Sequence, residues 1–370
     1  MSATDFYAGQ PHNKYAWGQA AYEEFIEQFY FTGMLGKGDN VVEHITSLSK
    51  NDKGVEGAYL HLIPQVRGGG IVGDNSAEGR LRNLQADWQL VNFDQLRNGM
   101  ETKGRLSEQK SILNNRREFR KQTARFFADT YEDQAILTAS GISYALNTDG
   151  STRVTPAGQD NWSDLLYAAD VSAPSANRHF RWDATSGLVA GDTSATDAAD
   201  VPEYDMIPDI WAKARELRIP PLRIDGRDHL VWLVHTSTMA KLWKNSDFRT
   251  IVKDADSRGR ENAIFKNSFV AMNGLIIKPY ERVYNTSGAA SGSKWGAGSA
   301  VDGTRSLVMG AKALAMVDLG PINFEEEHYD FGNRWGLVGD KMAGFAKSKF
   351  LDGRTGTSED YSVMAVDLAL

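Results

Sequence analysis

Polar and apolar residues alternate in the stretch from Val55 to Met100, which is the pattern of half-buried β-strands. One run places Leu60, Leu62 and Val66 on a single face, and a second run returns over Gln85–Phe93. This pattern predicts a long two-stranded arm. An isolated hairpin is only marginally stable in water, so the arm is expected to lie on another surface. Because no adjacent segment obviously supplies that surface, we expect a neighbouring subunit to provide it.

The segment that follows, Leu106–Thr138, has the pattern of one helix of roughly 33 residues spanning about 50 Å. Neither proline nor glycine interrupts it, and Gly141 is the predicted end. Its apolar residues recur near seven-residue steps, at Ile112, Leu113, Phe119, Phe126, Phe127 and Leu137. Since the mean globular helix has about 11–12 residues, this one is expected to be a spine for other elements.

Residues 1–50 have the character of an arm rather than a domain. Trp17, Ala21, Phe25 and Phe29 form an apolar stripe on a short predicted helix. No partner element lies beside the stripe in sequence, so docking on another subunit is expected here too.

The rest of the chain mixes strands and helices without regular alternation, which predicts the α+β class. Residues 149–204 are rich in loop-forming types. The predicted elements are a helix through Ile207, Ile210, Trp211, Ala214 and Leu217, a helix capped by Thr236 or Ser237 with Ala240 and Trp243 inward, and strands at His229–His235, Gly274–Lys278, Ser306–Met309 and Tyr361–Leu368.

Composition narrows the function classes. At 370 residues, a rough prior is two or three domains. No run approaches the ~20 apolar residues of a membrane span, and the first residues have no secretory signal pattern. The absence of cysteine suits a soluble product of a reducing cytoplasm. A net charge of −7 argues against general affinity for nucleic acid.

Motifs of cofactor and metal sites are present only in fragments. Gly68, Gly70 and Gly73 have dinucleotide-fingerprint spacing, but no amphipathic helix opens there, so a hairpin tip is favoured. A calcium-loop fragment at Asp254 lacks its final glutamate. Glu325–His328 could bind a metal, although a solvated acidic loop is favoured. No cofactor, metal or catalytic residue is therefore predicted, while an active site built from distant residues stays open.

Five cations crowd the middle of the long predicted helix. They are Arg116, Arg117, Arg120, Lys121 and Arg125, with only Glu118 among them. Like charges four residues apart destabilise a lone helix, so anions outside the helix are expected to complete it. Those anions would be carboxylates of a neighbouring subunit or phosphates, and a solvated helix face is the alternative.

Several sequence blocks carry a resemblance whose specificity lies in their order and spacing. The blocks are Thr46–Lys50, Gly70–Asp74, Leu106–Ser111, Asn177–His179, Glu261–Phe265, Asn273–Ile277 and Asp330–Asn333. Together the chain, from about Asn40 to Asp367, resembles a tailed-bacteriophage major capsid protein of the Hong Kong 97 fold. Within that fold it is similar to the enquatrovirus-type capsid subgroup.

The resemblance implies a division of the chain. Residues 1–45 would be an N-terminal arm, 46–99 an extended β-hairpin loop with its base, and 100–139 the spine helix of a peripheral domain. Residues 140–320 would form an axial domain, and 321–370 would return to the peripheral domain. The function implied is a shell of hexamers and pentamers around packaged double-stranded DNA, in a virion assembled in the host cytoplasm.

The loop tip is the implied intersubunit contact. Its residues would be Arg67, Gly68, Gly69, Gly70, Asp74, Glu78, Arg80 and Arg82. The Gly79–Arg82 segment departs from the acidic pairs that are frequent in the family. No lysine lies between Gly54 and Lys103, so a shell without covalent crosslinks is expected.

The resemblance also implies further partners, and two other functions stay open as alternatives. Portal and scaffolding proteins would be partners, with a decoration protein as a further one, and no sequence-specific DNA binding or membrane is implied. An encapsulin-like nanocompartment is the structural alternative. A small-molecule oxidoreductase using the glycine-rich loop is the enzymatic one.

Overall fold

The computed structural model describes residues 11–38, 40–46, 57–62, 71–76, 78, 87–110, 114–224, 226–249, 270–272, 274–351 and 357–370. The main helices are α1 Pro11–Gln28, α2 Arg105–Lys110, α3 Asn115–Ser140, α4 Met206–Glu216 and α5 Thr236–Lys244. The strands are β1 Leu35–Gly36, β2 Val42–Ile45, β3 Gly57–Leu62, β4 Asp87–Asn92, β5 Asp94–Glu101, β6 His179–Asp183, β7 Gly187–Ala190, β8 Leu222–Ile224, β9 Arg227–Val234, β10 Val270–Met272, β11 Leu275–Pro279, β12 Gly303–Met309, β13 Leu314–Asp318, β14 Asn323–Tyr329, β15 Arg334–Lys347, β16 Lys349–Leu351, β17 Ser358–Asp360 and β18 Val363–Ala369.

The first layer of the fold is a six-stranded sheet ordered β1-β2-β13-β15-β14, in which β5 also pairs with β15. Helices α1 and α3 pack on one face of it, where Phe345 contacts Tyr131 and Phe324 contacts Phe119. The hairpin β3–β4 covers part of the opposite face, against Ala315 and Val317. Because side chains alternate along β13 and β15, these strands contribute residues to two apolar clusters, one on each face of the sheet.

The second sheet is mixed, with the order β10-β11-β9-β12-β18-β6-β7 and with β8 on β9. Its strands β9 and β12 are buried on both faces along Leu230–Val234 and Leu307–Met309, which explains why these two runs are continuously apolar. Helices α4 and α5 cover one face through Ile210 and Leu242. The other face joins the cluster that contains α3.

The long helix ends where the sequence predicts and begins later. Gly141 adopts a left-handed conformation (φ 68°, ψ 37°) and caps α3, as expected for glycine after a helix. Asn114 is extended, and its side chain accepts a hydrogen bond from the backbone N–H of Arg117. The prediction of one continuous helix over Leu106–Thr138 is therefore wrong, because this asparagine cap starts α3 anew after the short α2.

The stripe on the N-terminal helix packs within the chain. Ala21 and Phe25 of α1 and Phe29, which directly follows the helix, are at most 3% exposed, and Phe25 contacts Tyr131 of α3. Burial of the stripe therefore needs no second subunit, which corrects the expectation for this helix. Residues 1–10 lie outside the described residues.

Strand pairing crosses the boundaries of the predicted division at two places. The strand β13, placed before residue 320, belongs to the first sheet and pairs with β2 and β15. The strand β18, expected to return to the peripheral domain, lies inside the second sheet between β12 and β6. The division of the chain into these domains stays a prediction, because strand pairing between distant segments leaves no mark on the local alternation.

The remaining predicted elements are present with small shifts. The helix at Met206–Glu216 and the strands at Arg227–Val234, Leu275–Pro279, Gly303–Met309 and Val363–Ala369 are confirmed. The cap of α5 is His235, whose side chain accepts the Ser237 N–H, rather than Thr236 or Ser237. Ala240, expected to point inward, is exposed.

Candidate intersubunit surfaces

The inner face of the hairpin base is buried on its own chain. Leu60 and Leu62 share this face as predicted, and both are at most 2% exposed. They pack with Ala58 and Val91 against the first sheet. The expectation that a neighbouring subunit must bury this face is therefore wrong for the base of the arm. Val66 lies outside the described residues.

A single amide fastens the hairpin to the sheet. The Gln89 Nε2 donates to the carbonyl of Lys347 at 3.0 Å, and its Oε1 accepts the N–H of Lys349 at 2.9 Å. The side chain thus satisfies one backbone acceptor and one donor, as a paired strand would. At the end of the same strand, the Asn92 side chain donates to both carboxylate oxygens of Asp170, at 3.1 and 3.0 Å.

The outer face of the hairpin base presents aromatic side chains to solvent. Tyr59 is 53% exposed and Trp88 is 64% exposed, and their rings meet edge to face at 5.2 Å. Beside Trp88 runs an open groove of about 390 Å³. It is lined by Trp88, Gln89, Leu90, Lys349, Phe350, Leu351 and Ser358. Exposed apolar patches of this kind mark interaction surfaces.

Two of the predicted tip residues lie in the described part of the chain. Asp74 and Glu78 are both exposed, and within the described ranges neither carboxylate pairs with a cation. Local bonds shape the segment, since the Asn75 amide donates to the Val72 carbonyl at 2.6 Å. Arg67, Gly68, Gly69, Gly70, Arg80 and Arg82 lie outside the described residues.

Three of the five cations of the long helix have partners in the same chain. Arg116 bonds Glu326 of β14 at 2.5 Å, and Arg120 bonds Glu24 of α1 at 2.8 Å. Arg125 lies 3.7 Å from Asp129, one helical turn away. The expectation that the anions come from outside the chain is therefore wrong for these three. The partners are 210 and 96 residues away for the first two, so local sequence could not reveal them.

The other two cations point away from the body of the subunit. Arg117 and Lys121 are exposed, lie one turn apart, and have no carboxylate within ion-pair distance among the described residues. Both a neighbouring subunit's carboxylate and a phosphate stay open as their partners. The structure does not bring them together with Asp74 or Glu78.

Buried charges join the N-terminal helix to the first sheet. Lys341 and Asp318 are at most 2% exposed and lie 2.7 Å apart. The Tyr22 hydroxyl donates to Asp318 at 3.1 Å, and the His44 Nε2 lies 3.4 Å from it. Burial alone would raise the pKa of Asp318, but the Lys341 ammonium and these hydrogen bonds hold that pKa well below its usual range.

Two further charged groups join α3 to the second sheet. Arg305 of β12 donates to both oxygens of buried Asp367, at 2.8 and 3.1 Å, and to the Ser140 carbonyl at the end of α3. Arg282 reaches Asp129, Glu132 and Asp133 on α3. Burial raises the pKa of Glu132, which also accepts the Tyr280 hydroxyl at 2.5 Å. These contacts hold the two sheets to one helix.

The fragments of cofactor and metal motifs do not form sites in the described structure. Gly73 lies in a turn, and no helix opens beside it among residues 71–76. Glu325–His328 lies within β14, and the described residues contain no cluster able to hold a metal ion. The segment at Asp254 falls outside them. None of the described helices has the length and apolarity to span a membrane.

Comparison with known proteins decides the family. A sequence profile described as phage capsid protein matches residues 15–370. The major capsid protein of Pseudomonas phage KPP25 is 35% identical over 357 residues, covering 95% of this chain and 93% of that protein. This chain belongs to the phage capsid protein family. The family is a structural one and not a family of enzymes, so the oxidoreductase alternative is not favoured.

Solved capsids share the fold of this capsid protein. The capsid of Ralstonia phage GP4 matches with a TM-score of 0.74 at 20% identity, covering 92% of this chain and 91% of that one. The cyanophage Pam1 capsid matches with a TM-score of 0.68 at 15% identity, covering 93% of both. The predicted α+β capsid fold is confirmed, and the encapsulin-like alternative is not favoured.

The aromatic outer face of the hairpin was missed at the level of sequence. Alternation correctly separates its two faces, but each face carries large apolar residues. Which face this capsid protein covers with its own sheet depends on Ala315, Val317 and Ala346, far along the chain. The tryptophan between the polar residues Asp87 and Gln89 is the local signal that could have indicated this exposed face.

Proposed function

We propose that this major capsid protein assembles as hexamers and pentamers into an icosahedral shell around the double-stranded DNA of a tailed phage. The subunit fold would be of the Hong Kong 97 type, in the enquatrovirus-type subgroup. Assembly would take place in the host cytoplasm, with portal and scaffolding proteins and, in the finished shell, a decoration protein as partners.

The observation that carries the proposal is the hairpin base, which uses its inner face within the chain and leaves an aromatic outer face bare. Tyr59 and Trp88 are more than half exposed, and exposed aromatic surface contributes nothing to the stability of a solitary subunit. In a capsid protein family, the natural cover is another subunit. We therefore assign the outer face of the base, together with the tip Arg67–Arg82, to contacts between subunits.

Assembly of this kind needs no strong single contact. Once a ring closes, each further contact forms at high effective concentration, so weak contacts add up. The net charge of −7 suits a wall that encloses DNA without binding it tightly.

Electron microscopy of the expressed protein tests the proposal directly. Closed shells with hexameric and pentameric capsomers are expected, and co-purifying DNA protected from nuclease would support genome packaging in phage-infected cells. Protein that remains a compact monomer at high concentration, with salt and scaffold varied, would overturn the proposal. Shells that contain a cargo protein instead of DNA would support the nanocompartment.

Deleting Gly68–Gly79 should leave the free subunit folded and abolish shells. The inner face of the base and the Gln89 clamp lie outside the deletion, so the thermal unfolding temperature should change little. Sedimentation and microscopy of the purified variant measure assembly. A variant with the same residues replaced by a glycine–serine linker of equal length separates the role of the tip's chemistry from that of loop length. Normal shells from both variants would refute the assigned role.

Reversing Arg117 and Lys121 to glutamate should impair assembly while leaving the free subunit at least as stable. Both side chains are exposed, and a glutamate near the start of α3 interacts well with the helix dipole, so the change in unfolding free energy should stay within about 0.5 kcal/mol. The matched control is Arg116→Glu with Arg120→Glu. Those residues pair with Glu326 and Glu24, so their reversal should destabilise the subunit itself. Unchanged assembly of the first variant would show that the two exposed cations are merely solvated.

A further inference from the structure

The turn between β14 and β15 holds a phenylalanine fully in solvent. Phe331 is 109% exposed relative to an extended reference, the highest value among the exposed large apolar residues of the described chain. The turn lies in the block Asp330–Asn333, which is part of the family resemblance. Formation of a shell does not by itself explain why an exposed phenylalanine stands at this position. Surface phenylalanines occur singly in many proteins, so exposure alone decides nothing.

The backbone of this turn is unusual. Asp330, Phe331 and Gly332 all have left-handed conformations, with φ of 50°, 52° and 81°. Glycine adopts such angles without strain, but an aspartate and above all a phenylalanine are strained in this conformation. A chain that required only a tight turn would be more stable with glycine at position 331. The exposed phenyl ring at position 331 therefore lowers the stability of the free subunit.

Neighbouring groups fix the turn in place. The Arg105 Nε donates to the Gly332 carbonyl at 3.2 Å, and the Asn333 N–H donates to the Asp330 carbonyl at 2.9 Å. The Asn333 amide also donates to the Asp330 carboxylate at 3.1 Å. These bonds arise from α2 and from the turn itself, so the ring is presented by a braced support. A rigid, protruding aromatic residue is the typical anchor of a protein interface.

The same chain has a recess of suitable chemistry. The groove beside the hairpin is about 390 Å³, within the range of pockets that take small molecules. Trp88 and Leu351 form an apolar wall that is open to solvent, and Lys349 adds a positive charge. The turn carries the negative charge of Asp330 beside its ring, so the two surfaces complement each other in both polarity and charge. Within one subunit they do not meet, since Phe331 is fully exposed.

We propose that Phe331 of one subunit inserts into the groove formed by Trp88, Leu90, Lys349 and Leu351 of a second copy of this chain. The contact is heterologous, because knob and groove are different surfaces, and such contacts propagate into rings and closed shells. This inference rests on the proposed shell function and assigns to it one specific pair of surfaces. Asp330 lies against Lys349 in this arrangement.

Phe331→Gly tests the knob, because it removes the ring and relieves the strained backbone together. The free subunit should unfold at an equal or higher temperature, while the protein concentration needed for assembly should rise about tenfold or more. Phe331→Tyr, which keeps an aromatic ring at the same place, should assemble near the wild-type concentration. Assembly of Phe331→Gly at the wild-type concentration would overturn the proposal.

A crosslink tests the groove. The natural chain has no cysteine, so introduced cysteines react only with each other. Phe331→Cys chains and Leu351→Cys chains, co-assembled with an excess of wild-type chain, should form disulfide-linked dimers on mild oxidation. Val154→Cys with Leu351→Cys is the control pair, since Val154 is also exposed (86%) but lies far from the turn in sequence. Intact shells in which only the control pair crosslinks, or neither does, would overturn the proposal. Failure of wild-type chains to form shells at all would instead overturn the proposed function.

Discussion

Replacing Lys341 by methionine should lower the free energy of unfolding of the free subunit by about 3–5 kcal/mol. The ammonium is completely buried, lies 2.7 Å from the Asp318 carboxylate and faces the rings of Tyr22 and Phe25. Its removal leaves a carboxylate in the interior without its cation, and that uncompensated charge is the main source of the loss. Urea denaturation followed by tryptophan fluorescence measures it.

The matched control is Lys312→Met. Lys312 also pairs with a carboxylate, Glu43 at 3.1 Å, but both side chains are more than a fifth exposed. Exposed pairs contribute about 0–1 kcal/mol, so this variant should lose no more than that. Equal losses in the two variants would show that burial of the Lys341–Asp318 pair has no energetic consequence.

The pH dependence of the same variant gives an independent check. In the natural chain, the pKa of Asp318 lies below its unfolded value of about 3.9, so its contribution is present above that pH and is lost as the pH falls. Without Lys341, burial should raise the pKa of Asp318 above the unfolded value. Protonation then relieves the buried charge, so the penalty of Lys341→Met should shrink between pH 7 and pH 4. Comparing the two proteins at each pH cancels the contribution of ionisable groups that lie far from Asp318.

Phe25→Ala should destabilise the free subunit by about 3–5 kcal/mol. Phe25 has no exposed surface, and its ring lies between Phe29 of the same segment and Tyr131 of α3, at centroid distances of 5.4 and 6.0 Å. The cavity left by the ring cannot close readily, because the helix α1 is held on both sides by the Arg120–Glu24 pair and the Tyr22–Asp318 bond.

Thermal unfolding of the unassembled protein measures this loss, with Glu23→Ala as the control. Glu23 is exposed on the same helix, so its replacement should change the free energy by no more than about 0.5 kcal/mol. If Phe25→Ala instead weakened only the assembled shell, the helix would be docked on a neighbouring subunit in solution, as the sequence alone suggests.

The sequence predicts elements well where they carry their own signals. The cap at Gly141, the amphipathic helix through Ile210 and the continuous apolar run of β9 are all local patterns with a direct physical cause. The shared face of Leu60 and Leu62 is likewise correct, because side chains on a strand alternate wherever the strand is placed.

The errors concern contacts between distant segments. The sequence predicts that a neighbouring subunit buries the α1 stripe and the hairpin base, since no adjacent segment of the chain could bury them. Their cover in fact comes from residues such as Tyr131, Phe324 and Ala346. The ion pairs of Arg116 with Glu326 and of Arg120 with Glu24 were missed for the same reason, because the partners lie far apart in sequence. Periodicity shows which side of a helix or strand is apolar, but it does not show which residues of the chain pack against that side.

The position of β18 has a consequence for how the subunit is made. This strand lies between β12 and β6 in the second sheet, yet every other strand of both sheets precedes it in the chain. A ribosome delivers it last, so the second sheet remains split until residues 363–369 have emerged. A nascent chain therefore cannot present the complete second sheet to its neighbours before these residues have left the ribosome.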